Sequence, residues 1–293
     1  MKRKVILAVL CFIFLFLAIF SGIQLFFAWQ EYAVSDRVYD DLSQYIQMDG
    51  TNPTKPADPA TEPTETTDPA EHNTQSSDTQ PSDTQPPEST DTHPTEPENA
   101  VVWPVVDFES LKKINADVVA WIYIPGTNIN YPVVQGADND YYLYRLFDQT
   151  YNKAGSIFMD YRNSGVMNDD NTVLHGHHMR NKTMFAQITG YAGQEFYDAH
   201  PYGMILTPDG NYLVKFFSGY VTDVYSDAWV MRFRSDSEYA AWINAISGKS
   251  YFSADVIPTV DDRMLTLSTC TYEYDDARYV VLGELVPIEV EWE

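Results

Sequence analysis

A stretch of 53 residues, Met48–Ala100, divides this chain into parts that cannot share one fold. It consists mainly of Thr, Pro, Glu, Asp, Gln and Ser, holds ten of the seventeen prolines and has no aromatic residue. The pentapeptide SDTQP occurs twice in succession within it, at 77–81 and 82–86. Such a composition buries too little apolar surface to offset the loss of chain entropy. We therefore predict a disordered, semi-extended linker over residues 48–100.

The beginning of the chain predicts a membrane anchor. A basic cluster at residues 2–4 precedes the uncharged run Val5–Trp29, whose 25 residues are enough for a membrane-spanning helix. A cleaved signal peptide has a shorter apolar core and ends in a small-x-small site, for which Ala18-Ile19-Phe20 is a poor match. We predict a retained single-pass helix at residues 5–29, with residues 1–4 in the cytoplasm and the rest of the chain outside the cell.

Residues 30–47 carry apolar side chains at helical spacing, with acidic residues between them, and predict a juxtamembrane helix. Two interpretations stay open for it, a partner-binding surface and a solvated extension of the anchor helix.

The formal net charge of the chain, −24, argues against nucleic-acid binding. The linker carries −11 of that charge and residues 101–293 carry −13. About half of the net charge therefore lies in the linker and not on the surface of the folded part.

Residues 101–293 are long enough for one domain with a sizeable core. An apolar pattern from Phe108 to Val118 predicts an N-terminal helix. Two further helical segments, near Met184–Ala192 and at Ser235–Ser247, interrupt a series of β-type runs, and Ser235 or Asp236 is the predicted cap of the second one. The fold class is mostly β, a closed barrel with inserted helices. The eight predicted strands are Ala120–Ile124, Tyr131–Val134, Gly155–Met159, Thr172–Leu174, Gly203–Leu206, Tyr212–Val224, Met264–Thr269 and Tyr279–Pro287.

Cys270 is the only thiol outside the predicted membrane helix, because Cys11 lies inside it, so the two cannot pair. A lone thiol in an oxidising compartment is open to unwanted disulfide formation unless it is buried or has a chemical function. The run Leu265–Thr271 ends in small polar residues and places Cys270 at an exposed strand end, which favours a nucleophile over a buried, inert thiol. A nucleophilic cysteine needs a base or a positive neighbour to form its thiolate.

The candidate bases are the four histidines of the folded part. His175 and His177 point to one face of an extended chain, with His178 beside them. This pair is also a possible metal site, although no third ligand stands at a recognisable spacing. His200 precedes a proline, and we interpret it as a turn residue.

The candidate positive neighbour is Arg278, which follows Cys270 by eight residues. If the segment between them is a loop, two adjacent antiparallel strands place the guanidinium near the thiol, where it could stabilise a developing oxyanion. The alternative is a surface salt bridge between Arg278 and Asp275 or Asp276.

Taken together, these features resemble the sortases, the membrane-bound cysteine transpeptidases of Gram-positive bacteria. The resemblance depends on the Thr-Leu-Ser-Thr-Cys strand at 266–270, the arginine that follows it, an upstream Gly-His and the N-terminal anchor. It covers about Phe108–Pro287 and is similar in detail to class B. The class B segments are Asp117–Ile122, Ile124–Ile129, Tyr131–Gln135, Ala154–Phe158, Gly176–Met179, Met184-Phe185 and the helix at Ser235–Ser247.

The resemblance implies a sortase-type barrel in residues 101–293 and a catalytic trio. In sortases the catalytic histidine follows the glycine of a strand-end Gly-His, which here is His177. Cys270 matches the nucleophile and Arg278 the essential arginine. The neighbours His175 and His178 are then expected to be dispensable.

Three further residues acquire expected roles from the resemblance. The backbone N–H of Thr271 would be a second oxyanion donor. The family often has an acidic residue at this position, so the threonine side chain has no implied role. Ser268 and Thr269 are candidates for the wall of the substrate pocket.

The implied reaction is a two-step acyl transfer without a metal or organic cofactor; binding of calcium by the acidic loops is a weaker possibility. The expected partners are secreted proteins with a C-terminal sorting signal, of the Asn-Pro-x-Thr type in class B, and a lipid-linked peptidoglycan precursor as the amine acceptor. We expect the linker to act as a tether that sets the reach of the enzyme. A pilin-polymerising sortase, a cysteine peptidase and a stalked surface adhesin are the alternatives.

Overall fold

The computed structural model of the protein describes residues 2–48, 103–271 and 276–288. The predicted linker, residues 48–100, therefore lies almost entirely outside the described residues. Four α-helices are present in the described part, and short 3-10 helices connect several elements. The α-helices are α1 (Lys2–Leu42), α2 (Phe108–Ile114), α3 (Gln194–Ala199) and α4 (Asp236–Ser247).

Ten strands occur in the described residues, and eight of them close a barrel. The first two form a separate pair, β1 (Ile46–Gln47) and β2 (Val105–Val106). Around the barrel the order is β10-β8-β7-β3-β4-β5-β6-β9, and β9 pairs with β10 to close it. The barrel strands are β3 (Val118–Tyr123), β4 (Asn130–Val134), β5 (Ile157–Met159), β6 (Asn171–His175), β7 (Tyr202–Thr207), β8 (Gly210–Asp223), β9 (Arg263–Cys270) and β10 (Ala277–Ile288).

All eight predicted strands are confirmed, with ends that differ by a few residues. Closure of the sheet buries an aromatic and aliphatic core and leaves no unpaired edge. Trp121, Phe185 and Tyr279 are among its largest fully buried side chains. Two of the neighbouring pairs are parallel, β4 with β5 and β6 with β9, while the others are antiparallel. The parallel pair of β6 and β9 brings the C-terminal ends of these two strands to the same edge of the barrel.

Two helix predictions need correction. The first helix ends at Ile114 rather than near Val118, because the Asn115 backbone is extended. The Asn115 side-chain amide donates hydrogen bonds to Tyr142 Oη and Phe147 O. The segment predicted as a helix near Met184–Ala192 is a 3-10 helix over Ala186–Ala192. The left-handed backbone at Met184, φ +56°, prevents a helical start there.

The predicted Ser235–Ser247 helix is confirmed as α4, with Ser235 as its cap. The Ser235 hydroxyl accepts a hydrogen bond from the backbone N–H of Glu238 at 3.3 Å, which satisfies one of the helix's open donors. The apolar stripe of Tyr239, Trp242 and Ile246 packs onto the outer face of the barrel together with side chains of β8 and β10.

The predicted juxtamembrane segment continues α1 without a break as far as Leu42, and one side of it lies on the barrel. Ser35 and Leu42 are buried there. The Asn152 side chain donates to Glu31 O at 2.9 Å, and the Tyr39 ring meets Tyr131 edge-on at 5.2 Å between centroids. This segment is therefore an extension of the helix, as one interpretation held, but it is docked rather than solvated.

The residues on either side of the predicted linker are hydrogen-bonded to each other. Ile46 pairs with Val106 and Gln47 with Val105 in an antiparallel bridge. The backbone N–H of Asp107 also donates to Tyr45 O at 2.9 Å. The linker thus leaves and re-enters the folded part at one place. This corrects the expectation of a tether that sets reach, because a spacer would separate the two ends that are paired here.

Candidate active site

Cys270 and Arg278 lie opposite each other on neighbouring strands. Cys270 is the last residue of β9 and Arg278 the second residue of β10, and the antiparallel register pairs them directly. Directly opposed residues of an antiparallel pair place their side chains on the same face. The two-strand arrangement inferred from their spacing is thus confirmed, and the register of the ladder holds the guanidinium-bearing residue beside the thiol-bearing one.

Arg278 makes a backbone contact rather than an ion pair in the described part of the chain. Its Nη1 donates to Ala277 O at 3.0 Å. The alternative of a salt bridge with Asp276 is not realised, and Asp275 lies outside the described residues.

The segment that carries His177 is attached to the end of β9. Parallel pairing of β6 with β9 sets His175 next to Ser268, and the Gly176 N–H donates to Ser268 O at 3.0 Å. The Thr269 hydroxyl donates to Gly176 O at 2.8 Å. A Cβ at Gly176 would lie 2.5 Å from Ile157 Cδ1 and 2.8 Å from the Phe185 ring, so any other residue here would displace buried side chains. These contacts fix His177 immediately beyond the end of β6, next to the end of β9.

The His177 ring has a defined hydrogen-bond partner. Its Nε2 lies 2.7 Å from Leu143 O. Because a carbonyl oxygen only accepts, Nε2 carries the proton in this arrangement. Nδ1 is then the nitrogen that can take up or release a proton.

Cys270, His177 and Arg278 line one cleft of about 330 Å³. Cys270 is partly accessible, and both cysteines of the chain are free thiols. The cleft is also lined by Ser268 and Thr269, which are each only 2% exposed. The structure therefore brings together the three catalytic residues and both pocket residues that were predicted from the sequence. The Thr269 hydroxyl, however, donates its hydrogen bond to Gly176 O.

Two predicted neighbours of the site contact backbone groups. The His178 Nδ1–H donates to Cys270 O at 2.9 Å, so this ring helps to hold the main chain of the cysteine. The Thr271 N–H donates to Ala277 O at 3.1 Å and is engaged in the β9–β10 ladder. An oxyanion role for the Thr271 amide stays a prediction, and it requires that this bond open when substrate arrives.

The cleft contains a charged cluster that sequence reasoning missed. Asp160 is 1% exposed and accepts two hydrogen bonds from the Arg162 guanidinium, at 2.9 and 2.8 Å. His175 Nε2 lies 3.2 Å from the same carboxylate, and the His175 ring contacts Trp229 at 6.0 Å between centroids. Burial alone would raise the pKa of Asp160, but the hydrogen bonds from Arg162 and His175 outweigh it and hold this pKa well below its usual range.

Comparison with known proteins identifies the family. A family model described as a sortase domain matches residues 122–286, more than half of the chain. The chain belongs to the sortase family. It is 39% identical over 183 residues to Sortase B of Staphylococcus aureus and 35% identical over 182 residues to Sortase B of Listeria monocytogenes, covering 75% and 74% of those proteins and 62% and 61% of itself.

Solved structures agree with this assignment. A Staphylococcus aureus sortase B–substrate complex has a TM-score of 0.59 at 39% identity and covers 62% of this chain and 85% of that one. The structure of Clostridium perfringens sortase B matches with a TM-score of 0.59 at 37% identity and covers 61% of this chain and 100% of that one. This protein is a cysteine transpeptidase of sortase class B.

The two histidines predicted as a possible metal pair do not form part of a candidate metal site in the described residues. Within residues 2–48, 103–271 and 276–288, no three His, Cys, Asp or Glu side chains come together as a candidate metal site. His175 and His177, the possible metal pair, each make a different hydrogen bond, the first to Asp160 and the second to Leu143 O.

The sequence contains a weak signal for the missed charged cluster. Asp160 and Arg162 directly follow the predicted strand Gly155–Met159, so an acid and a base stand where that strand ends. Nothing local connects them to His175. The proximity of Asp160 to His175 can be predicted only when β5 and β6 are known to pair antiparallel, with Phe158 opposite His175.

Proposed function

We propose that this sortase cuts a C-terminal sorting signal after a threonine and transfers the protein to an amine of the cell-wall precursor. Cys270, His177 and Arg278 are the groups that carry the reaction. The observation that supports this assignment most directly is the pairing of Arg278 with Cys270 across β9 and β10, with His177 on the same cleft.

In the first step the Cys270 thiolate forms a bond to the threonine carbonyl carbon. The Arg278 guanidinium stabilises the oxyanion, because the strand register holds Arg278 directly opposite Cys270. In this state His177 is an imidazolium that holds the proton lost by the Cys270 thiol on Nδ1, beside the proton on Nε2. It gives the Nδ1 proton to the departing amine as the C–N bond breaks, which leaves a thioester and a neutral His177.

In the second step an acceptor amine attacks the thioester carbon. Nδ1 of His177 takes the proton from the attacking nitrogen, the new amide forms and the Cys270 thiolate leaves. A cysteine peptidase would use water in place of this amine, and a pilin-building enzyme would use a lysine of a second pilin. The three readings share the first step and differ only in the acceptor.

The helix α1 supports a membrane location. Residues 10–45 include a stretch that is long and apolar enough to cross a bilayer, by length and composition. The basic residues at 2–4 favour a cytoplasmic N-terminus, which would place the barrel outside the cell. Substrate and acceptor would both be found at that membrane surface.

The test uses the full-length chain in detergent micelles with peptides of the Asn-Pro-x-Thr and Leu-Pro-x-Thr-Gly types. Mass spectrometry follows cleavage and the ligated product with and without an added amine, and Cys270→Ala is the inactive control. We expect an amine-dependent ligation product. Cleavage that yields only the free acid at every amine concentration would assign the chain as a peptidase. Product formation by Cys270→Ala would remove the proposed mechanism.

A further inference from the structure

One contact between the docked part of α1 and the barrel is made by the partly buried hydroxyl of Tyr39. Tyr39 Oη donates to Gly155 O at 2.7 Å and lies 3.2 Å from Ser156 Oγ. The Tyr39 ring is held independently, because it meets the Tyr131 ring edge-on at 5.2 Å. Removal of the hydroxyl alone therefore breaks the link to residues 155–156 and leaves the helix packed.

The receiving residues hold the neighbouring turn at 141–145. The Ser156 N–H donates to Tyr142 O at 3.0 Å, and its hydroxyl donates to Arg145 O at 2.8 Å. Gly155 has φ +60°, and a side chain on it would lie 2.5 Å from Leu143 O. Residues 155–156 thus contact this turn at Tyr142 O and, through the Ser156 hydroxyl, at Arg145 O, and the Gly155 backbone lies close to Leu143 O.

Leu143 O is the acceptor for His177 Nε2 at 2.7 Å. A continuous path of short contacts therefore runs from Tyr39 through Gly155 and Ser156 to Leu143, and from there to the catalytic-site histidine. Every step is a hydrogen bond or a close backbone approach, and the sequence separation of 116 between Tyr39 and Gly155 shows that the path is tertiary, not local.

We propose that Tyr39, on the membrane-anchor helix, is a positioning residue for His177. It fixes the Leu143 carbonyl, which fixes the His177 tautomer with the proton on Nε2 and presents Nδ1 for proton transfer. The kinetic part of this inference depends on the catalytic role of His177 proposed above. The structural part, the dependence of the Nε2–H bond on Tyr39, does not.

The test compares Tyr39→Phe with wild type in the full-length chain in micelles. Tyr32→Phe is the matched control, because Tyr32 lies on the same helix and its hydroxyl has no hydrogen-bond partner among the residues the structure describes. Two readouts are needed. One is kcat and KM for ligation; the other is the ¹⁵N-histidine NMR signal of the His177 Nε2–H, assigned by its loss in His177→Gln.

We expect Tyr39→Phe to lower kcat about fivefold to tenfold, as the loss of one hydrogen bond in a positioning path would, with KM unchanged. The His177 Nε2–H signal should broaden or exchange faster, while Tyr32→Phe matches wild type in both readouts. An unchanged Nε2–H signal in Tyr39→Phe would overturn the proposal. Equal kcat losses in Tyr39→Phe and Tyr32→Phe would overturn it as well.

The two readouts separate this inference from the proposed function. If wild type forms no ligation product, the transpeptidase proposal fails, while the NMR comparison still decides whether Tyr39 positions His177. If ligation is normal and the NMR signals of wild type and Tyr39→Phe coincide, only the Tyr39 inference fails.

Discussion

The two walls of the active-site cleft are built in different ways. The strand wall, Cys270 and Arg278, is set by the paired register of β9 and β10. The turn wall comprises residues 141–145, 160–162 and 176–178, and the His177 ring within it is held by one hydrogen bond, to Leu143 O. A register cannot change by a fraction of a residue, whereas one hydrogen bond can lengthen. A substitution should therefore either keep or abolish the geometry of the strand wall. In the turn wall, a substitution should change the geometry gradually.

The largest effect on the turn wall is expected for its proton-transfer group. His177→Ala should lower kcat/KM by about 10²–10⁴-fold, the range of general acid–base catalysis. His178→Ala should cost much less, because His178 supports only the main chain of Cys270 through one hydrogen bond. Steady-state ligation assays of both variants check this, with circular dichroism to confirm folding. An inactive His178→Ala together with an active His177→Ala would assign the catalytic role to His178 instead.

The next effect concerns the strand wall. Arg278→Ala should lower kcat by about 10²–10³-fold, as removal of an oxyanion donor does, with nearly unchanged thermal unfolding. Arg278→Lys should recover little of this loss, because lysine lacks the planar fork of the guanidinium. Full recovery by lysine would mean that only charge matters and that the register-set geometry does not.

A smaller effect, on stability, is expected at the charged cluster of the turn wall. Asp160 has a pKa below its unfolded value, so its ionised form stabilises the fold above about pH 4 and this contribution is lost as the pH falls further. Asp160→Asn should lower the free energy of unfolding at pH 7 by about 2 kcal/mol, because it weakens hydrogen bonds to a buried, charged acceptor.

Urea unfolding at pH 7 and at pH 3 measures this effect. The difference between wild type and Asp160→Asn should shrink at pH 3. A matched control is Asp138→Asn, whose exposed carboxylate accepts only local backbone hydrogen bonds. A difference that grows at low pH would contradict the sign of the pKa shift.

The smallest effect is expected outside both walls, from removal of residues 50–98. The pairing of Ile46 with Val106 already joins the ends of this stretch, so its deletion should leave kcat, KM and cell-wall anchoring within twofold of wild type. Pulse-chase labelling of a sorted protein in cells checks the last point. A loss of anchoring in cells with normal kinetics in micelles would restore the interpretation of a spacer.

The strand wall could be predicted from the sequence, and the turn wall only in part. Apolar β-type runs marked β9 and β10, and the seven residues between Cys270 and Arg278 fit a turn between neighbouring strands. His177 was selected by its place after a glycine, in likeness to a family. Its partner Leu143 O could not be predicted, because no local pattern connects residues 34 positions apart.

The same reason explains the errors at the N-terminal side. The composition of residues 48–100 predicted a linker between an anchor and a domain. A two-residue strand such as Ile46–Gln47 is too short to produce any periodic signal, so the closure of the two ends could not be seen. The helical period of 30–47 was visible, but not the barrel surface that Ser35 and Leu42 would meet.

The unbroken course of α1 has a consequence for the height of the cleft above a membrane. Tyr39 lies ten residues beyond Trp29, the last residue of the apolar run, which is about 15 Å along a helix axis. If α1 crosses the bilayer, as proposed above, and stays docked on the barrel, this helix would hold the cleft at a fixed distance from the membrane surface. Its tilt, set by the lipid and by the docked side chains, would then decide which face of the enzyme looks toward the headgroups.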